Sequence, residues 1–184
     1  LVTVAWISRD YRRSRTLGTM GQIQQMFVDV GGGGRRSTVP PNARRQMHAL
    51  GGAGTRLCVS ANESPEVHCV DESGAHLLLR WRQDDVPTST GDVSEWRENL
   101  RAMGRTWAPF FTAQDIERMI EGTIVPPTKP PIGDVVIDAS GHVLVGGPDL
   151  TATTGGWRRY RVFSASGELI GVADLPPIDV HEIG

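Results

Sequence analysis

The sequence Asp71-Glu72-Ser73-Gly74 lies between two apolar runs, and similar sequences recur as Asp138-Ala139-Ser140-Gly141 and Ser164-Ala165-Ser166-Gly167. Each predicts a β-hairpin. Asp or Ser at the first position accepts hydrogen bonds from backbone N–H groups, and Gly at the last position adopts the positive φ that closes a short turn. Three such turns in a chain of 184 residues indicate a repeated all-β unit.

Strand-like segments around these turns come in sets of four. The first set covers residues 46–50, 56–60, 66–70 and 76–81, and the second covers residues 134–137, 142–145, 157–163 and 168–172. Four-stranded antiparallel meanders in series are typical of a β-propeller, in which blades surround a central axis. A ring needs at least about four blades. Two whole units, with partial flanks near residues 1–20 and 178–184, therefore predict an incomplete ring and a longer parent chain.

We expect residues 1–184 to form a single propeller-type domain fragment, interrupted by a helical insertion or flap with a Pro-rich connector at residues 83–133. Apolar residues at helical spacing predict one helix that follows Asp92 and ends at Gly104. A second helix is predicted from Thr112 to Glu121, with Thr112 as its N-cap. Residues 31–36, which begin with four glycines, are interpreted as a mobile loop.

Charge and hydropathy argue against two classes of partner. The net charge is −2, from 19 basic and 21 acidic residues, so no overall field attracts nucleic acid or an anionic membrane. The runs Arg12–Arg15, Arg35–Arg36 and Arg44–Arg45 lack interleaved aromatic residues and are interpreted as solvated loops. No window approaches the ~18 apolar residues that a membrane-spanning helix needs. We therefore expect no nucleic-acid partner and no transmembrane segment.

The two cysteines form the sharpest candidate pair. If Asn62 to Pro65 form the tip of a hairpin, Ala61 faces Glu66, and Cys58 then lies directly opposite Cys69. Opposed Cβ atoms lie about 4.5–5.5 Å apart, close enough for a disulfide after modest adjustment. Two buried free thiols remain the alternative. A zinc site that adds His68 and His76 is disfavoured, because His68 points to the sheet face opposite Cys69.

Other residues suggest weaker hypotheses. The side chains of Asp138, Asp149, Asp179 and His181 could line one end of a propeller channel and hold a cation, but no three of them converge in an obvious register. Trp81, Trp96, Trp107 and Trp157 could form a surface for sugars or partners, although single tryptophans are more often packing anchors. We take Trp96, Trp107 and Trp157 as candidate partner contacts. No residue is assigned as catalytic, metal-binding or cofactor-binding.

The run from Pro130 to Val145 and the run from Tyr160 to Val172, followed by Leu175-Pro176, resemble blades of uncharacterised bacterial six-bladed, NHL-like β-propeller proteins. Residues 45–82 fit the same pattern more loosely. The resemblance implies periplasmic or extracellular residence, which favours the disulfide over free thiols. It implies nothing about chemistry.

Because no catalytic group of residues emerges, the expected function is that of a non-catalytic, extracytoplasmic interaction or scaffolding module. Its partners would be proteins of a larger assembly, in which the chain would be an accessory subunit. Such an assembly includes membrane-bound complexes. Two alternatives stay open. One is a propeller lactonase or hydrolase that uses a cation in the central channel, and the other is a propeller that binds a small ligand or carbohydrate.

Overall fold

A computed structural model describes residues 2–7, 14–20, 26–31, 34–44, 47–52, 55–106, 111–150 and 158–176, with the backbone alone for the first two segments. The described elements, in chain order, are β1 Val2–Ile7, β2 Ser14–Met20, β3 Met26–Gly31, β4 Gly34–Thr38, β5 Met47–Gly51, β6 Arg56–Ser60, β7 Glu66–Asp71, β8 His76–Arg80, α1 Thr90–Thr106, α2 Ala113–Gly122, β9 Asp134–Ile137, β10 Val143–Gly146, β11 Arg158–Phe163 and β12 Leu169–Leu175.

The chain divides into two compact units. The first comprises residues 1–22, 45–85 and 130–184, and the second comprises residues 23–44 and 86–129. The first unit holds the antiparallel hairpin β1–β2 and two four-stranded antiparallel sheets, with strand orders β5-β6-β7-β8 and β9-β10-β11-β12. The predicted all-β class with four-stranded antiparallel sheets and a small helical part is therefore confirmed. The described strands do not close into a barrel.

The three predicted hairpin turns have the same geometry. In each, the N–H of the fourth residue donates to the carbonyl of the first, as from Gly74 to Asp71 at 2.9 Å, and the fourth residue is a glycine with φ between 82° and 93°. The side chain of the first residue accepts from the N–H four residues on, at 3.0 Å from Ala75 to Asp71 and 2.8 Å from His142 to Asp138. The repeated sequence therefore specifies a repeated turn.

Buried and exposed side chains alternate along the strands, and the buried ones form one core that both sheets of the first unit share. On β7 the buried Val67 and Cys69 flank the exposed His68, as period-2 patterning requires. The core cluster comprises Cys58, Val67, Cys69, Leu79, Ile132, Val135, Ile137, Val143, Val145 and Phe163. At its margin the rings of Trp81 and Phe163 lie 5.7 Å apart between centroids.

The first strands of the two sheets, β5 and β9, approach closely. A Cβ atom added to Gly51 would lie 2.3 Å from Cβ of Ile137, a distance that no side chain tolerates. Gly52 then donates its N–H to the carbonyl of Asp138 at 3.0 Å. Glycine at the end of β5 is therefore what allows the first strands of the two sheets to meet.

The second unit combines a β-hairpin with both helices. Strands β3 and β4 pair antiparallel, and the helices bury apolar side chains against β3. The core of this unit comprises Val28, Val30, Leu100, Ile116, Met119 and Ile120. The predicted N-cap of α2 is confirmed, because the Thr112 side chain accepts from Asp115 N–H and the Asp115 carboxylate accepts from Thr112 N–H.

Three sequence-based expectations for this unit are wrong. Gly104 does not end α1 but lies buried inside it, where an added Cβ atom would come within 2.6 Å of Cγ1 of Ile116. The helix also begins at Thr90, before Asp92, because the side chains and N–H groups of Ser89 and Asp92 exchange hydrogen bonds at the N-terminus. Residues 31–36 are not simply a loop, since Gly31 and residues 34–36 belong to β3 and β4.

None of the helices among the described residues is both long enough and apolar enough to span a membrane.

Candidate functional site

Four turns of the first unit surround a cleft of about 360 Å³. Three are the repeated turns after β7, β9 and β11, and the fourth joins β5 to β6. We call this the turn cleft. Its lining residues are Gly52, Thr55, Arg56, Asp71, Glu72, Ser73, Ala139, Ser140, Gly141 and Ala165. The turns are recognisable in the sequence, but no local pattern predicts that they meet.

Hydrogen bonds tie the turns of the cleft to one another. Arg56 donates from Nη1 to the carbonyl oxygen of Gly141 at 2.9 Å, across the two sheets. Glu72 donates its N–H to the carbonyl oxygen of Thr55 at 2.9 Å, and the Gly52 to Asp138 bond joins the other side. These bonds connect the residues around the β5–β6, β7–β8 and β9–β10 turns, so the fold fixes three of the four walls of the cleft.

The charges at the turn cleft are one guanidinium and two carboxyls. The hydroxyl of Ser73 and the N–H of Ala75 donate to the Asp71 carboxylate, and these bonds hold its pKa below the usual value. Asp71 is therefore ionised at neutral pH. Glu72 is exposed, and within the described residues no salt bridge engages either Glu72 or Arg56.

The second candidate surface is the free edge of β12. This strand is the outermost of its sheet, and β11 is its single strand partner in the described part of the chain. Leu169, Ile170 and Val172 are each more than half exposed along it. The one charged residue on the strand, Asp174, is held by a two-pronged salt bridge from Arg159.

The structure places the predicted cysteine pair as the turn register requires. Cys58 and Cys69 are directly paired across β6 and β7, their Cα atoms lie 4.0 Å apart, and a disulfide joins them. Both cysteines are at most 2% exposed and lie in the shared core of the two sheets. The neighbouring His68 is exposed on the opposite face of β7, so no zinc site forms from these residues.

Of the three tryptophans predicted to contact a partner, the structure describes one, Trp96. Trp96 is partly buried against the core of the second unit, and its indole N–H donates to the carbonyl oxygen of Val39 at 2.9 Å. Trp107 and Trp157 lie outside the described residues. Trp81, considered for sugar stacking, contacts Phe163 and lies 5.7 Å from the guanidinium of Arg161.

The carboxylates considered for a channel cation do not come together. Asp138 and Asp149 lie at opposite ends of β10, and each has a different partner, His142 for Asp138 and Arg161 for Asp149. Burial alone would raise the pKa of Asp138, but the hydrogen bonds from His142 outweigh it and lower that pKa. Asp179 and His181 lie outside the described residues. Among those that are described, no three His, Cys, Asp or Glu side chains form a metal-binding group.

No protein-family model matches this chain, and no curated protein or solved structure is significantly similar to it. Its function must therefore be inferred from the turn cleft, the edge of β12 and the packing within each unit.

Proposed function

We propose that the chain is a non-catalytic interaction module that works outside the cytoplasm as an accessory subunit of a larger protein assembly. The observation that carries this proposal is the outer edge of β12, which no other described strand pairs with. Natural proteins normally protect an exposed edge strand with lysine, proline, a covering segment or very short length. This edge is seven residues long and presents three exposed apolar side chains instead.

The chemistry of this edge favours a partner that donates an extended strand. Backbone N–H and C=O groups along an unpaired edge bind a partner strand, and alternate side chains give the specificity. Leu169 and Val172 would contact apolar side chains of such a strand. The partner is therefore a protein segment of extended, apolar character rather than a folded, highly charged surface.

We further propose that the two sheets of the first unit are consecutive blades of a propeller, as the resemblance to NHL-like proteins implies. Three features support this. Each sheet is an up-and-down meander, and the turns after β5, β7, β9 and β11 all line one cleft. The first strands of the two meanders, β5 and β9, also approach each other, as innermost strands do around a propeller axis.

An extracytoplasmic location agrees with the chemistry of the cysteine pair. Disulfides persist in oxidising compartments and are rare in the cytosol, where thiols are kept reduced. The Cys58–Cys69 bond is buried between the two sheets and serves the fold. The lactonase alternative has no comparable support, because Asp138 and Asp149 lie at opposite ends of β10.

Site-specific photo-crosslinking in the cells that make the protein tests this proposal. A photoreactive amino acid at position 172 should give one adduct, and mass spectrometry should map the partner's crosslinked residues to an extended apolar segment. The same amino acid at position 50 is the matched control, because Leu50 is equally exposed and apolar but lies on the other sheet.

The second arm of the test weakens the edge by charge. Val172→Asp should abolish the adduct and release the protein from its assembly, whereas Leu50→Asp should leave both intact. An adduct with a second copy of this chain would replace the accessory-subunit proposal with self-association. Equal crosslinking at positions 50 and 172, or no adduct at either, would overturn it.

A further inference from the structure

We infer that the turn cleft binds a small zwitterion, a molecule such as an α-amino acid or short peptide that carries both a carboxylate and an ammonium group. This site is separate from the edge of β12 and does not depend on the proposed partner. The space, the charges and the rigidity of the cleft support this inference.

The space arises from the second positions of the three repeated turns. These positions are Glu72, Ala139 and Ala165, and all three line the cleft. Alanine at this position in two of the three turns leaves room in the cleft. Gly141 leaves room as well, because a Cβ atom there would occupy the space next to Cβ of Ala165, 3.7 Å away. A volume of about 360 Å³ is at the small end of ligand sites. The cleft therefore suits a molecule of a few to some tens of atoms.

Arg56 supplies the anion-binding group. Its guanidinium carries five N–H donors, and the single hydrogen bond that it makes in the described structure runs from Nη1 to Gly141. That bond fixes the position of the guanidinium while other donors stay available. A planar guanidinium held in this way matches the two oxygens of a carboxylate.

Glu72 supplies the opposite charge. It is the one second-position residue that differs from alanine in the three turns, and it is exposed and without a salt bridge in the described part of the chain. Asp71 adds a second negative charge, although Ser73 and Ala75 already donate to its oxygens. An ammonium group is the natural partner for the Glu72 carboxylate.

The mixture of charges selects a zwitterion over a simple ion. The carboxylates of Asp71 and Glu72 would repel a free anion from Arg56, and Arg56 would repel a free cation from the carboxylates. A ligand that carries both charges satisfies all three groups. Because hydrogen bonds already link three of the four turns, binding has little loop ordering to overcome.

Titration of the ¹⁵N-labelled full chain with L-alanine, L-glutamate, L-lysine and dialanine tests the inference by NMR. At least one of these probes should give saturable shifts centred on Thr55, Glu72 and Ser140. For that probe, capping the amine by acetylation or the carboxylate by amidation should weaken binding at least about tenfold, since each removes a charge-assisted hydrogen bond.

Variants separate the cleft from the rest of the surface. Glu72→Gln removes the negative charge and Ala139→Leu fills the space, and each should weaken binding of the same probe at least about tenfold. Glu168→Gln is the matched control, because Glu168 is an exposed glutamate beside the third turn that does not line the cleft. Two results would overturn the inference: no saturable shift with any of the four probes at millimolar concentration, or equal binding of probe and capped analogues. Unchanged spectra away from the cleft would show that the variants remain folded.

Discussion

Asn62 and Ile132 exchange two buried hydrogen bonds, one in each direction. Ile132 donates its N–H to Oδ1 of Asn62 at 2.8 Å, and Nδ2 of Asn62 donates to the Ile132 carbonyl at 2.8 Å. The asparagine side chain thus replaces a strand partner for the backbone that leads into β9. Asn62 is 1% exposed and has a φ of 60°, a conformation that asparagine tolerates better than most residues. One side chain therefore joins the β6–β7 turn of the first sheet to the start of the second.

Asn62→Ala should destabilise the protein by about 3 kcal/mol, because it leaves a buried N–H and a buried carbonyl without partners. Asn62→Gly removes the same two bonds but accepts the positive φ, so it should cost about 1 kcal/mol less. Urea denaturation followed by circular dichroism measures both. A loss below about 1 kcal/mol for Asn62→Ala would show that this link contributes little.

Cys58 and Cys69 should be joined by a disulfide in the mature protein. The double variant Cys58→Ala/Cys69→Ala should lose about 2–4 kcal/mol of unfolding free energy, the typical contribution of such a bond. Reduction should destabilise the wild type but leave the double variant unaffected. Alkylation of the native, unreduced protein should label no cysteine. Two reactive thiols there would contradict the oxidised state.

Trp96→Ala should destabilise the second unit by about 3 kcal/mol, because it empties an aromatic site against the core of β3, α1 and α2. Trp96→Phe keeps most of the apolar contact but loses the hydrogen bond to Val39, and should cost about 1 kcal/mol. Hydrogen exchange of the α1 and α2 amides reports on this unit directly. Protection that is the same in wild type and Trp96→Ala would mean that this tryptophan does not hold the helices.

Gly104→Ala should destabilise the second unit despite the higher helix propensity of alanine. The new Cβ atom would overlap Cγ1 of Ile116, so α1 and α2 must separate. Gly91→Ala is the matched control, since it lies in the same helix and its nearest neighbour, Oγ of Ser89, would be 3.5 Å away. That variant should be neutral or stabilising by up to about 1 kcal/mol. Equal effects of the two substitutions would contradict the close packing at Gly104.

The ion pair of Asp92 and Lys129 contributes to the acid response of the second unit. Hydrogen bonds from Lys129, and secondly from Ser89, lower the pKa of Asp92 to about 2. Because that pKa is depressed on folding, the pair contributes its full stability above the unfolded value near pH 4, and the contribution disappears as the pH falls towards 2. Lys129→Gln should raise the pKa of Asp92 in an NMR carboxyl titration, whereas Lys129→Arg should keep it low. A pKa that does not move in Lys129→Gln would exclude the ion pair as its cause.

Local chemistry made much of the first unit predictable from sequence. A turn that starts with Asp or Ser and ends with Gly fixes its own hairpin, and the register of a hairpin follows from its turn, which is why Cys58 could be placed opposite Cys69. Thr112 and Asp115 marked the start of α2 for the same reason, since capping involves residues three apart.

The missed features depend on contacts between distant residues. Gly104 reads as a helix end in the sequence, but its role is to admit Ile116 from another helix. Strand β3 was overlooked because its buried residues, Val28 and Val30, are explained only by the helices that cover them. The turn cleft exists because Arg56 reaches Gly141, 85 residues away, and no local pattern encodes that approach.

The mass of the native complex tests the central claim, that the edge of β12 binds a protein partner, most directly. Native mass spectrometry of the protein from its own cells should give a complex heavier than the denatured polypeptide of the same preparation, with a distinct partner polypeptide present. The same preparation from cells that carry Val172→Asp should give the protein without that partner, while Leu50→Asp should retain it. A wild-type protein that is monomeric in its own cells, or a complex that survives Val172→Asp unchanged, would contradict the account.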